Sequence, residues 1–159
     1  MHFVGDIHQP LHTVGDAVGG NAIAVDVFMR GQKSCSGKCD PDHMPTNFHK
    51  AWDSDLINKM VWDWGAYVDR LEGGWLKSAD AKHEQGANAP IDHATIVNWA
   101  EQTHKAAEQV WELRPANNVL DDNYLNAVLP VLDRQLGIAG LRLARFLNQA
   151  YASQSCPVQ

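Results

Sequence analysis

His2/Asp6 and His49/Asp53 each set a histidine four residues before an aspartate. On a helix, positions i and i+4 lie one above the other, so each pair predicts a helical segment that carries both side chains to one side. Neutral imidazole nitrogen and carboxylate oxygen are the ligands zinc prefers where thiolate is absent. With His12 added, the two pairs look like a multi-zinc site.

The phase of these residues says more than their number. At about 100° per residue, Asp6 and His12 would stand roughly 240° apart on a straight helix, too far round to share an ion. Pro10 alters that expectation, because it lacks the N–H that would bond the Asp6 carbonyl and its ring clashes there. The helix should kink or end just before Leu11 and His12. His2 and Asp6 are therefore expected to serve one metal centre, while His12 turns towards another shared with His49 and Asp53. One such pair alone would more often be a surface hydrogen bond; two pairs and a fifth residue after a proline reverse that weighting. His43, His83, His93 and His104 lack comparable partners and read as solvated or structural. So does His8, although it stands four residues before His12 and is placed to support a ligand from behind.

Hydrophobic periodicity predicts a mainly α chain with a short β-hairpin near residues 21–29. Residues 1–10 read as the last part of a helix. Ala22 to Met29 alternates and is β-branched, which suggests a strand or hairpin. Residues 30–46 read as loop, and a helix should run from about Thr46 to Leu71, capped by Thr46 or Asn47 and ended at Gly73–Gly74. Residues 73–91 read as a polar excursion. Asp92 caps a further helix to about Leu113, ended by Pro115. In the last segment Leu125, Val128, Leu129, Leu132, Leu136, Leu143, Phe146 and Leu147 recur at helical spacing as a core stripe, with Pro130 in a first turn or at a kink. Of the six tryptophans, Trp52, Trp62, Trp99 and Trp111 are expected to pack, and Trp64 and Trp75 are not assigned.

Length and apolar content suit one domain over residues 1–159. No apolar run is long enough to span a membrane, and the opening segment is polar and ligand-bearing rather than a signal peptide. Cys35 and Cys39 flank three residues of a loop, where a disulfide would staple it; a metal-binding pair is the competing reading, but no second pair completes a four-thiolate site. The disulfide favours an oxidising compartment. Cys156 has no assigned partner.

The runs His2-Phe3-Val4-Gly5-Asp6, Gln9-Pro10-Leu11-His12, Gly19-Gly20-Asn21 and His49-Lys50-Ala51-Trp52-Asp53 closely resemble the S1/P1 class of zinc-dependent nucleases. Ala139-Gly140-Leu141-Arg142-Leu143-Ala144 and Leu147-Asn148 are similar to that family's closing helix, so the resemblance covers nearly the whole chain. It implies the helical fold shared by phospholipase C and P1 nuclease and three zinc ions, two close together and one more remote. His2 would ligate one ion of the close pair, and Asp6, the catalytic candidate, would bridge that pair. His12, His49 and Asp53 would hold the third ion. Asn21, with the backbone of Gly19 and Gly20, would contact a nucleobase, which suits a side-chain amide and glycines that permit close approach.

The family's remaining ligands, a leading tryptophan, two histidines and an aspartate, lie upstream of the segment that matches residue 1. An N-terminally truncated portion of a longer protein is therefore expected, rather than ligands supplied by another chain, since a domain boundary belongs in a linker and not inside a ligand-bearing helix. The implied activity is zinc-dependent phosphodiester hydrolysis of single-stranded DNA and RNA, with 3′-nucleotidase activity, in a secreted or periplasmic protein. A zinc phospholipase C or a zinc-stabilised, non-catalytic helical module are the alternatives. The net charge of −6 is unusual for a protein that handles phosphates. Three Zn²⁺ would bring the formal total to zero and focus positive potential in the cleft.

Overall fold

The computed structural model describes residues 2–28, 43–61 and 63–152. Helices dominate, as expected, around a small sheet. In chain order they are α1 (His2–Asp6), two 3₁₀ turns (Pro10–Thr13 and Asp16–Val18), strands β1 (Ala24–Phe28) and β2 (His43–Asn47), α2 (Phe48–Lys50), a π-helical turn (Ala51–Asp55) and α3 (Leu56–Met60). Then come α4 (Trp64–Gly73), a 3₁₀ turn (Trp75–Lys77), α5 (Ala79–Gly86), α6 (His93–Glu112), β3 (Val119–Leu120) and α7 (Asp122–Ala152).

The sheet runs β2–β1–β3, with β2 antiparallel and β3 parallel to β1. Val25 and Val27 of β1 face the core while its other residues do not, as period-two alternation demands. The expected strand near residues 21–29 is thus present, but its partner lies at His43–Asn47, in a segment expected to be loop. Pro45 is tolerated there because β2 is an edge strand. Phe48 N–H donates to the Ile23 carbonyl at 2.9 Å, and the Asn47 side chain accepts from Lys50 N–H at 2.8 Å. The sheet therefore hands over directly to the helix that carries His49, with Asn47 as its cap.

Other boundaries need correction. The helix expected over 46–71 is interrupted where Val61 turns to extended backbone, and it restarts on Asp63, whose carboxylate caps α4. α1 stops at Asp6, well before Pro10. The polar stretch 73–91 contains α5, capped by Ser78. Asp92 caps α6 as expected, through Thr95 N–H. Pro130 sits inside α7 rather than in its first turn.

The core packs Leu11, Val25, Val27, Phe48, Trp52 and Leu56 against Val110 of α6 and Tyr124, Leu125, Val128 and Leu132 of α7. The expected stripe on α7 is core in its first half; towards its end Phe146 is 43% exposed. Trp52 and Trp99 are buried, and Trp111 packs on Phe48. No helix among the described residues is long and apolar enough to cross a membrane. Cys35, Cys39, Cys156, Met29 and Trp62 lie outside the described residues.

Candidate metal centre

Two short segments bring the ligand candidates together. After α1, Ile7 N–H bonds the Phe3 carbonyl and His8 N–H the Gly5 carbonyl, so the chain tightens and leaves the helix. Pro10 then takes the first position of a 3₁₀ turn, where a missing N–H costs nothing. Leu11 is fully buried and anchors that turn, while His12 is presented to the opposite side. The effect expected of Pro10 is realised as a new turn rather than as a kink.

His49 and Asp53 come from α2 and the π turn that follows. Trp52, between them in sequence, is buried and donates its Nε1–H to the Tyr124 hydroxyl at 3.0 Å. Lys50 Nζ reaches the buried Asp55 carboxylate at 2.7 and 2.9 Å, a pairing across five residues that suits the wider π turn. These contacts hold the inner side of the helix and leave His49 and Asp53 on its outer side.

The two segments meet with His12 Nε2 at 3.4 Å from Asp53 Oδ1 and His49 Nε2 at 3.6 Å from Asp53 Oδ2. The imidazoles stack with centroids 4.9 Å apart and planes 18° apart. One ligand atom from each of His12, His49 and Asp53 lies within 4.8 Å of the others, the only such group of three among the described residues. These separations are long for hydrogen bonds. They suit a shared ion, because two donors each about 2.0 Å from a tetrahedral centre stand roughly 3.3 Å apart.

The ring of His49 is oriented from behind. Its Nδ1–H donates to the Gly19 carbonyl at 2.8 Å, which leaves Nε2 as the free donor atom, as in most histidine metal ligands. Gly19 has φ +61°, and a Cβ there would stand 3.0 Å from the Leu11 carbonyl oxygen and 3.3 Å from His49 Nδ1. Glycine is required by both conformation and space. Two nitrogens and one oxygen with room for a fourth ligand therefore fit zinc.

His2 and Asp6 meet at 2.9 Å, a hydrogen-bond distance, on an exposed face. The other Asp6 oxygen lies 3.8 Å from His12 Nδ1. The His2–Asp6 pair therefore lies beside the His12–His49–Asp53 group. Of the residues expected at a nucleobase, Gly19 lines a cleft of about 1100 Å³ with Phe3, Asp6, His12, Val18 and His49. Gly20, at φ +85°, packs close to the Phe48 ring. Asn21 is exposed and donates Nδ2–H to the Val18 carbonyl at 3.0 Å.

Sequence reasoning missed Gln9 and Arg142, and offered His8 only as a residue that could support a ligand from behind. Gln9 donates Nε2–H to Asp53 Oδ1 at 2.7 Å and accepts the Leu11 N–H. His8 is buried at 2% exposure. Its Nδ1–H donates to the Val4 carbonyl at 2.6 Å and its Nε2 accepts from Arg142 at 2.9 Å, so it is neutral; burial pushes its pKa down to about 4. Arg142 also donates to Glu84 at 2.9 Å and to Gln102 at 2.6 Å, and Gln135 donates to the His8 carbonyl at 2.8 Å. The hint available in the sequence was the placing of His8 and Gln9 between two ligands.

Comparison with known proteins agrees with this geometry. The S1/P1 Nuclease family profile matches residues 1–152. Endonuclease 5 of Arabidopsis thaliana is 27% identical over 96% of this chain and 50% of its own length. Nuclease P1 of Penicillium citrinum is 25% identical over 97% of this chain and 57% of its own. Nuclease S1 of Aspergillus oryzae is 25% identical over 93% and 51%. The chain spans about half the length of the curated relatives it matches.

Proposed function

The chain belongs to the S1/P1 nuclease family, and from that premise we propose that it carries the metal centre of a zinc-dependent phosphodiesterase acting on single-stranded DNA and RNA, with 3′-nucleotidase activity. The observation that carries this reading is the convergence of His12, His49 and Asp53 at separations suited to one ion. Zinc held there by His12, His49 and Asp53 would supply Lewis acidity towards a phosphoester oxygen.

The chain's own groups supply orientation. His49, held by the Gly19 carbonyl, and His12, stacked on it, present Nε2 to one point. Asp6, whose oxygens lie 2.9 Å from His2 Nε2 and 3.8 Å from His12 Nδ1, would be the bridging carboxylate of the close pair of ions that the family resemblance implies. The exposed side-chain amide of Asn21 offers groups to a base edge and Gly19 lines the cleft beside the ligands, whereas Gly20 is buried against Phe48 and would serve the turn rather than touch the strand. With an acidic net charge, bound ions would add positive potential in the cleft to that of Lys105. We read residues 1–159 as one domain, working outside the cytoplasm where a Cys35–Cys39 disulfide would persist.

Native mass spectrometry and hydrolysis of single-stranded DNA test the reading. Zinc should be bound by the chain and lost in His49→Ala, and Asp6→Asn should abolish whatever hydrolysis the chain shows. A chain that binds no zinc, or an Asp6→Asn variant with full activity, would overturn it.

A further inference from the structure

We infer that Gln9 is a positioning residue that holds Asp53 to ligation through a single oxygen and so keeps a coordination position open at the His12–His49–Asp53 centre; this rests on the metal reading proposed above. The orientation of the Gln9 amide follows from chemistry. The Leu11 N–H can only donate, so the atom facing it is Oε1, and Nε2 must be the atom directed at Asp53 Oδ1, 2.7 Å away. Pro10 restricts the backbone of the residue before it to extended conformations, and Gln9 sits at φ −77°, ψ 117°. The amide is therefore fixed at both its root and its carbonyl end before it meets Asp53.

One side chain thus ties the turn that presents His12 to the segment that presents Asp53. It also divides the labour of the carboxylate. Oδ1 engages a lone pair with Gln9 and lies 3.4 Å from His12 Nε2, while Oδ2, 3.6 Å from His49 Nε2, is free of that hydrogen bond and is the oxygen left to ligate. A carboxylate free at both oxygens can swing to chelate an ion, which favours larger ions with more ligands. A carboxylate tethered at one oxygen contributes a single donor, as in a four-coordinate zinc site with an open position.

Cobalt(II) tests this, because its visible absorption is strong in four-coordinate and weak in five- and six-coordinate sites. The purified chain is titrated with Co²⁺, and absorption that disappears in His49→Ala reports this centre. Gln9→Met removes both amide contacts; Gln9→Ser keeps a hydroxyl to cap the turn but cannot reach Asp53. Both should weaken Co²⁺ binding by about 10–100-fold and lower the absorption per bound ion. Wild-type affinity and intensity in either variant would overturn the inference, and in Gln9→Ser it would show that the cap alone matters. If Gln9→Met fails to fold, as judged by circular dichroism with chelator present, Gln9→Ser decides. Wild-type protein with no His49-dependent absorption would instead sink the metal reading beneath it.

Discussion

His49 donates its Nδ1–H to the Gly19 carbonyl across 2.8 Å, so a backbone oxygen thirty residues upstream decides which imidazole nitrogen faces Asp53. Gly19→Ala tests that relationship. The substitution forces a β-carbon into left-handed backbone, at about 1–2 kcal/mol, and presses it against the Leu11 carbonyl. Stability should fall by about 1–3 kcal/mol in urea unfolding with chelator present, and zinc affinity should fall with it as the carbonyl shifts. A Gly19→Ala protein with unchanged zinc affinity would remove this oxygen from the site.

Removing metal should destabilise the chain. An ion that binds only the folded state at a hundred times its Kd contributes about 2.7 kcal/mol. For a chain of this size that is a melting shift of roughly 5–10 °C between zinc and chelator. His49→Ala should lose the shift, whereas Asp6→Asn, outside the triad, should keep most of it. Equal shifts in wild type and His49→Ala would place the stabilising ion elsewhere.

Which parts of this arrangement were readable follows from the range of the interactions behind them. The His/Asp spacings, the new turn that opens at Pro10 and the caps Asn47 and Asp92 are local effects, and the sequence displays them directly. β2 was not readable, because His43–Asn47 has no alternation and contains Pro45; only pairing with β1 makes it a strand. The interruption after Met60 carries no glycine or proline to announce it. Asp53 rides on a π turn that helical periodicity cannot anticipate, and Gln9 and Arg142 act through partners remote in sequence. Phe146 was misplaced because periodicity gives a face but not where its cover ends.

Arg142 should be the most costly of these remote residues to replace. It is 3% exposed, and its guanidinium serves Glu84, Gln102 and His8 together. Arg142→Met would leave the mostly covered Glu84 carboxylate, 11% exposed, without its cation, at a cost of about 3 kcal/mol, the low end for a bared buried charge. Adding Glu84→Gln to Arg142→Met should recover part of that loss, since the uncompensated charge is then gone. Urea unfolding of the two variants checks this; an Arg142→Met protein within 1 kcal/mol of wild type, a margin far below the cost of a bared charge, would contradict it.

Gly137 sets local propensity against packing. In a helix interior alanine is favoured over glycine by about 1 kcal/mol, so propensity alone predicts that Gly137→Ala stabilises α7. Yet a Cβ at Gly137 would stand 2.2 Å from Trp75 Cε3 and 2.4 Å from Cζ3, because the indole lies directly on the helix backbone. Overpacking of that kind costs about 1–3 kcal/mol, so the expected net effect is a loss. The sign should reverse once the ring is gone: in a Trp75→Ala background the same Gly137→Ala change should stabilise by about 1 kcal/mol. The two thermal melts are compared directly. A Gly137→Ala change that stabilises wild type would show that Trp75 does not pack against α7 in solution.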